Sequence, residues 1–200
     1  MIKIGLTGGT GAGKSTAAQI LCKLGAPVIS ADHLGHEAYR KGTPVHEQVT
    51  EAFGPEVLAA DGEIDRTKLG RIVFSDPERR RELESLVWPE IRREISARFA
   101  EHKEDRKKVA VLEAALLFEA GWDDLVDQVW VVDSPQEQAV KRLQAKTGLS
   151  EGDIRARMDA QLMPEQRARR ATVLINNDAD LQALESRVTA AWEGLAGKET

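Results

Sequence analysis

The chain has 200 residues, 42% of them hydrophobic, enough for one sizeable core with an appended subdomain and short for two independent domains. A net charge of −5 gives the surface no electrostatic footprint for nucleic acid, and no apolar run is long enough to span a bilayer. With the single Cys22 on the apolar face of a helical pattern and no signal-peptide pattern, the expectation is a soluble cytoplasmic protein, monomeric or a small homo-oligomer.

The first predicted element is a short buried strand over Met1–Thr7, followed at once by Gly8-Gly9-Thr10-Gly11-Ala12-Gly13-Lys14-Ser15. This run matches two glycines flanking four residues, then Lys and Ser, the phosphate-binding loop pattern. Apolar spacing over Ser15–Leu24 predicts a helix, so the glycines lie at the strand-to-helix turn the pattern requires. Glycines without a Cβ let the backbone curl round an anion with its N–H groups inward, and the helix N-terminus adds partial positive charge there. Lys14 supplies a mobile ammonium for the β- and γ-phosphates, and Ser15 offers a hydroxyl to Mg2+. The expected nucleotide contacts are Gly8, Gly11, Ala12, Gly13, Lys14, Ser15 and Thr16, with ATP and Mg2+ as cofactors. A dinucleotide-binding reading fails: Gly9, Gly11 and Gly13 are spaced G-x-G-x-G, and no G-x-x-G follows.

A second strand over Pro27–Ser30 puts Asp32 just past its carboxyl end, on the sheet edge that carries the phosphate loop. A carboxylate there can orient an acceptor hydroxyl and take its proton late in a loose phosphoryl-transfer transition state, so Asp32 is the candidate base. The competing role is a cap for a helix beginning near His33. Asp32-His33-Leu34-Gly35 also matches a D-x-x-G pattern of GTPases, but the only asparagines are Asn176 and Asn177, so no Asn-Lys-x-Asp guanine-reading motif exists. His33, His36, His46 and His102 lack cysteine partners and zinc-site spacing. Helical patterns fill the long connection that follows: Asp65 can cap a helix through Val73, Asp76-Pro77 opens another, and Trp88-Pro89 marks a break before a charged helix reaching about Glu104. Residues 33–108 are therefore expected to form a helical insertion over the mouth of the phosphate site, where a second substrate docks.

Apolar runs Val109–Glu113, Gln128–Asp133 and Thr172–Asn176 bring the strand count to five, alternating with helices. That pattern predicts an α/β fold, a three-layer α/β/α sandwich on a five-stranded parallel sheet with ligands at the strands' carboxyl ends. Glu113 and Asp133 each close a strand and compete for the magnesium-side carboxylate; Glu113 is preferred because Asp133 precedes the Ser134-Pro135 helix start. That helix ends before Gly148, and Ser150-Glu151-Gly152-Asp153 resembles a capping box for the next, which runs to about Gln161 before Met163-Pro164. Lys141, Arg142, Lys146, Arg155, Arg157, Arg167, Arg169 and Arg170 outweigh Glu151, Asp153, Asp159 and Glu165, a basic stretch in an acidic chain. Residues 141–170 are read as a lid hinged at Gly148 and Pro164 that closes over phosphates, leaving a core of 1–32, 109–140 and 171–200. The dispersed Trp88, Trp122, Trp130 and Trp192 suit packing, not a base-stacking platform.

Taken in order, Gly5 to Thr16, Ala31-Asp32, Leu116-Leu117-Phe118-Glu119, Gln138 with Arg142, and Arg157 with Gln161 resemble the dephospho-CoA kinases over nearly the whole chain. The resemblance implies a P-loop kinase fold and ATP-dependent phosphorylation of the ribose 3′-hydroxyl of dephospho-CoA, with Asp32 as base and the insertion as substrate-binding domain. It further implies that Arg142 meets ATP phosphates and that the segment at Asn176-Asn177, with Asn177 as the binding residue, lies on the adenine side. The chain departs from the family pattern at Ser30, Trp88, Glu113-Ala114-Ala115 and Thr172. Two other readings use the same features: a nucleoside or nucleotide monophosphate kinase, and an ATP-dependent binding or regulatory module without phosphoryl transfer.

Overall fold

A computed structural model describes residues 1–196. Strands β1 (Ile2–Gly8), β2 (Val28–Ser30), β3 (Val109–Glu113), β4 (Gln128–Asp133) and β5 (Val173–Asn176) form one sheet in the order β2-β3-β1-β4-β5, every pairing parallel. Parallel strands joined by helical crossovers are buried on both faces, which is why they read as near-continuous apolar runs. The period-2 alternation of β1 separates two packing layers. Ile4 and Leu6 join Val111, Trp130, Val132 and Ile175 in the core shared with α1 (Lys14–Lys23) and α9 (Leu181–Ala196). Gly5 faces the other way, where a Cβ would lie 2.9 Å from Leu117 and 3.0 Å from Val126.

The chain divides into two compact units, Met1–Ser30 with the chain from Arg98 onward, and Ala31–Ala97. The first holds the sheet, α1, α6 (Gln136–Thr147), α7 (Glu151–Asp159), α8 (Pro164–Arg169) and α9. The second is helical: α2 (Ala31–Ala38), α3 (Pro44–Phe53), α4 (Arg66–Ser75) and the larger part of α5 (Pro77–Glu104). Asp65 caps α4 by accepting from the Thr67 and Lys68 amides at 2.9 and 3.2 Å, and Asp76 accepts from the Glu78 amide at 2.8 Å at the start of α5. Arg79 ties α5 to α3, donating to the Ala52 carbonyl at 2.7 Å with its guanidinium 4.2 Å from the centre of the Phe53 ring.

The helical unit covers Ala31–Ala97 against an expected 33–108, so Asp32 falls in it and not in the core, and a helix boundary differs as well. The break at Trp88-Pro89 does not occur: α5 is a single helix of 28 residues with Pro89 inside it. Proline removes one ladder donor and crowds the preceding turn, but Val87, Ile91 and Ile95 follow a four-residue spacing and are 6%, 5% and 0% exposed. Burying that stripe outweighs the local cost of the proline.

Candidate active site

Between β1 and α1 the chain turns through Gly11 and Gly13, with φ of +80° and +98°, a left-handed conformation that favours residues without a Cβ. At Gly13, the N-cap of α1, a Cβ would also overlap the Asn177 amide. Lys14 and Ser15 then open the helix, and both side chains converge on one acid. Lys14 Nζ lies 3.0 Å from Glu113 Oε1, and Ser15 Oγ donates to the same oxygen at 2.7 Å. The Lys14–Glu113 pair is 11% and 14% exposed, so solvent screens it little. Ser15 Oγ and Glu113 Oε1 are hard oxygens side by side, the donor chemistry that would suit Mg2+. Among the described residues no cluster of three or more His, Cys, Asp or Glu forms an all-protein metal cage.

A cavity of about 270 Å³ opens on the loop, lined by Gly8 to Gly11, Gly13 to Thr16, Ala115, Arg142, Leu143 and Lys146. Arg142 stands on its wall with the guanidinium already committed. It donates to Ser134 Oγ (3.0 Å), the Asn177 and Ala179 carbonyls (3.2 and 3.3 Å) and Gln138 Oε1 (3.2 Å). Lys146, one turn further along α6, lines the same cavity and is exposed.

Asn177, expected as an adenine-side contact, is bonded into the phosphate loop. Its side chain is buried, and Nδ2 donates 2.8 Å to the Ala12 carbonyl while its own amide donates 2.6 Å to the Asp133 carbonyl. The carboxamide therefore staples the phosphate loop to the end of β5, and turning it outward would leave the Ala12 carbonyl unpaired. Asp133 is not drawn to Lys14 or Ser15; it lines a neighbouring cavity with Ser134 and Arg167.

The basic stretch is less free than its sequence suggests. Arg155 is bridged to Glu137 at 2.8 Å and to Glu151 at 2.7 Å, while Arg170 meets Asp123 at 2.6 Å and covers the Phe118 ring at 4.1 Å. Arg167 is 6% exposed, with its guanidinium against Gly9 and donating to the Leu162 carbonyl. Burial pushes its pKa down from the usual guanidinium range, opposed by the charges of Glu119, Asp133 and Glu165. Just before Pro164, Gln161 accepts from the Thr10 amide at 2.8 Å, and the Leu162 amide donates to Glu119 at 2.8 Å. Gly148, with φ +70° at the C-cap of α6, keeps the conformation of a turn.

Asp32 belongs to the Ala31–Ala97 unit. It is exposed and sits in the first turn of α2, inside the helix and not at its N-cap, since Ser30 ends β2 and Ala31 begins the helix. Within that unit a polar cavity of about 320 Å³ is lined by His33, His36, Glu37, Tyr39, Arg40, Glu63, Ile64 and Arg66. Burial and the Arg66 charge push the His36 pKa down, and burial pushes the Tyr39 phenol up. Tyr39, Arg40 and Arg66 carried no sequence signal beyond their closeness to Asp32 and to the Asp65 cap.

The model of the dephospho-CoA kinase family matches residues 2–183. A dephospho-CoA kinase of Symbiobacterium thermophilum is 44% identical over 98% of this chain and 82% of its own length. One from Geobacter sulfurreducens is 45% identical over 94% of this chain and 96% of its own length. Among solved structures, a dephospho-CoA kinase from Campylobacter jejuni is 28% identical with a TM-score of 0.73, covering 99% of this chain and 98% of that one. A phosphate loop closing on Glu113 in a five-stranded parallel sheet and a match over nearly the whole sequence lead to one conclusion: the chain belongs to the dephospho-CoA kinase family.

Proposed function

We propose that the chain transfers the γ-phosphoryl group of ATP to the ribose 3′-hydroxyl of dephospho-CoA, giving CoA and ADP. The observation that carries this reading is the convergence of Lys14 and Ser15 on Glu113 at the phosphate loop of a chain in this family. Phosphoryl transfer asks a protein mainly to position groups and stabilise charge. The backbone amides of Gly11, Gly13, Lys14 and Ser15 and the α1 N-terminus hold the phosphates, while the Ala12 amide stays bonded to the Gly9 carbonyl at 3.0 Å, and Lys14 exchanges its bond to Glu113 for phosphate oxygens as ATP binds. Ser15 and Glu113 would hold Mg2+, which supplies neutralisation of the charge on the β- and γ-phosphates. Asp32 orients the acceptor hydroxyl, takes its proton as the new P–O bond forms and the bond to ADP breaks, and releases it to solvent. Arg142 lines the cavity wall and meets the phosphates by exchanging one of its present acceptors, such as Gln138 Oε1, for a phosphate oxygen. Arg40 and Arg66, beside His36 in the cavity of the Ala31–Ala97 unit, suit the pyrophosphate of an anionic acceptor. The reaction runs in the cytoplasm, where ATP is made, with the enzyme a monomer or small homo-oligomer.

Purified protein with ATP, Mg2+ and dephospho-CoA should produce CoA, measured by mass spectrometry, at a rate well above that with nucleosides or nucleoside monophosphates. Transfer only to a nucleoside or nucleotide would overturn the acceptor and retain the kinase. No transfer to any of these, with ATP still bound, would turn the reading to a nucleotide-dependent binding module.

A further inference from the structure

The segment just after α7 makes contacts that neither the phosphate loop nor the acceptor side accounts for. Gln161 Oε1 accepts twice from Thr10, from its amide at 2.8 Å and its hydroxyl at 2.9 Å, and Gln161 Nε2 donates to the Ala115 carbonyl at 3.3 Å. Thr10 and Ala115 both line the cavity that holds Lys14 and Ser15, so one carboxamide bridges two of its walls. The residues that follow are fixed as firmly. Leu162 is gripped at both backbone groups, its amide donating to Glu119 and its carbonyl accepting from Arg167, and the Arg167 guanidinium lies against Gly9. Residues 9 and 10 therefore have their outer side covered by the 161–167 segment.

We propose that Gln161 is a positioning residue for phosphoryl transfer. Its carbonyl oxygen holds the Thr10 end of the phosphate loop in place, and its amide locks that end to the segment running out of β3, the strand that carries Glu113. The loop contains four glycines between residues 8 and 13, whose backbone freedom would otherwise spread its amides over many directions. A small misplacement of such donors costs far more in the transition state than in substrate binding, because developing charge is met only by donors already aimed at it. Through the same carboxamide, α7 and its basic residues are coupled to the loop, so the lid is anchored on its C-terminal side.

This inference rests on the kinase reading for its kinetic arm and is independent of it for its structural arm. The structural arm is hydrogen exchange of the Thr10 amide in the protein without substrates. Gln161→Met, which keeps length and removes the acceptor, should speed exchange at Thr10 by at least about tenfold, the loss of a protected amide. Gln161→Glu keeps an acceptor oxygen and should hold exchange within about threefold of the parent protein. In the kinetic arm, Gln161→Met should lower kcat by about tenfold or more while KM for dephospho-CoA stays unchanged, and Gln161→Glu should recover kcat while raising KM for ATP through charge repulsion. Thr10→Val removes only the hydroxyl; combined with Gln161→Met it should cost no more than Gln161→Met alone, a double-mutant cycle that does not depend on any one variant's stability. Unchanged Thr10 exchange in Gln161→Met, or additive losses in the double variant, would overturn the proposal. Absence of CoA formation by the parent protein would instead overturn the acceptor reading and leave the exchange result standing.

Discussion

Asn177 offers a sharp test of how the phosphate loop is held. Its amide nitrogen is buried and makes one bond, 2.8 Å to the Ala12 carbonyl, between residues 165 positions apart in the chain. Asn177→Ala leaves that carbonyl without a partner and out of reach of bulk water, which costs about 1–3 kcal/mol, and the vacated volume beside Gly13 and Leu184 adds to it. A total of about 2–3 kcal/mol in a chain of this size corresponds to a fall in Tm of roughly 4–12 °C, readable by calorimetry. Asn177→Asp should fall further than Asn177→Ala, since it puts a carboxylate oxygen against the same carbonyl with no donor between them. The kinetic consequence separates two roles. A staple that sets the direction of the loop amides affects every triphosphate alike, so kcat/KM for ATP and for GTP should fall by the same factor, about 10–100-fold. A residue that reads the base would instead change the ratio of the two. A shifted ATP-to-GTP ratio with an unchanged Tm would refute the staple and return Asn177 to the adenine side.

Three further outcomes follow from the geometry. Asp32→Ala should lower kcat by about 10²–10⁴-fold while ATP affinity, followed by titration calorimetry, stays within a few-fold of the parent; unchanged turnover would remove Asp32 from the chemistry. Glu113→Gln keeps an acceptor for the Ser15 hydroxyl and removes the charge, so the half-saturating Mg2+ concentration should rise about 10–100-fold; no change would move the test to Asp133. Pro89→Ala restores the missing ladder donor of α5 and gives back some unfolded-state freedom, for a net gain of about 1–2 kcal/mol and a higher Tm. A lower Tm would mean that the packing of Val87, Ile91 and Ile95 depends on the proline ring.

What the sequence made legible was what depends on neighbours in the chain. The strand–loop–helix from Ile2 to Lys23 and the caps at Asp65 and Ser150 are written in consecutive residues, and each local signal agrees with its surroundings. Glu113 and Asp133 looked alike because both end an apolar run; the choice between them is made by strand order. With β3 and β4 on either side of β1, either acid could flank the loop, and only the side-chain direction at the end of β3 turns Glu113 onto Lys14 and Ser15. The pairing of the basic stretch was hidden for a related reason, since two of its counterions, Asp123 and Glu137, lie outside the stretch. At Pro89 a strong local rule lost to burial, the usual direction when propensity and packing conflict. Gln161 and Asn177 carried no local signal for their contacts, because their partners Thr10 and Ala12 are 151 and 165 positions away.

These distant contacts have one physical purpose in common. A loop with glycines at 8, 9, 11 and 13 can present its amides to phosphate only because it is so little constrained by its own side chains, and ordering each such residue costs on the order of 1–2 kcal/mol. The restraint has to come from outside the loop, and it does so at three points. Gln161 holds residue 10, Asn177 holds residue 12, and Glu113 holds the side chains of residues 14 and 15, each from a different part of the chain. Two of the three are carboxamides, which satisfy loop amides and carbonyls without adding charge where triphosphate must enter. The third is a carboxylate, balanced by the Lys14 ammonium 3.0 Å away. The ordering cost is thereby met during folding, so binding energy for ATP is left to act on the reacting phosphate.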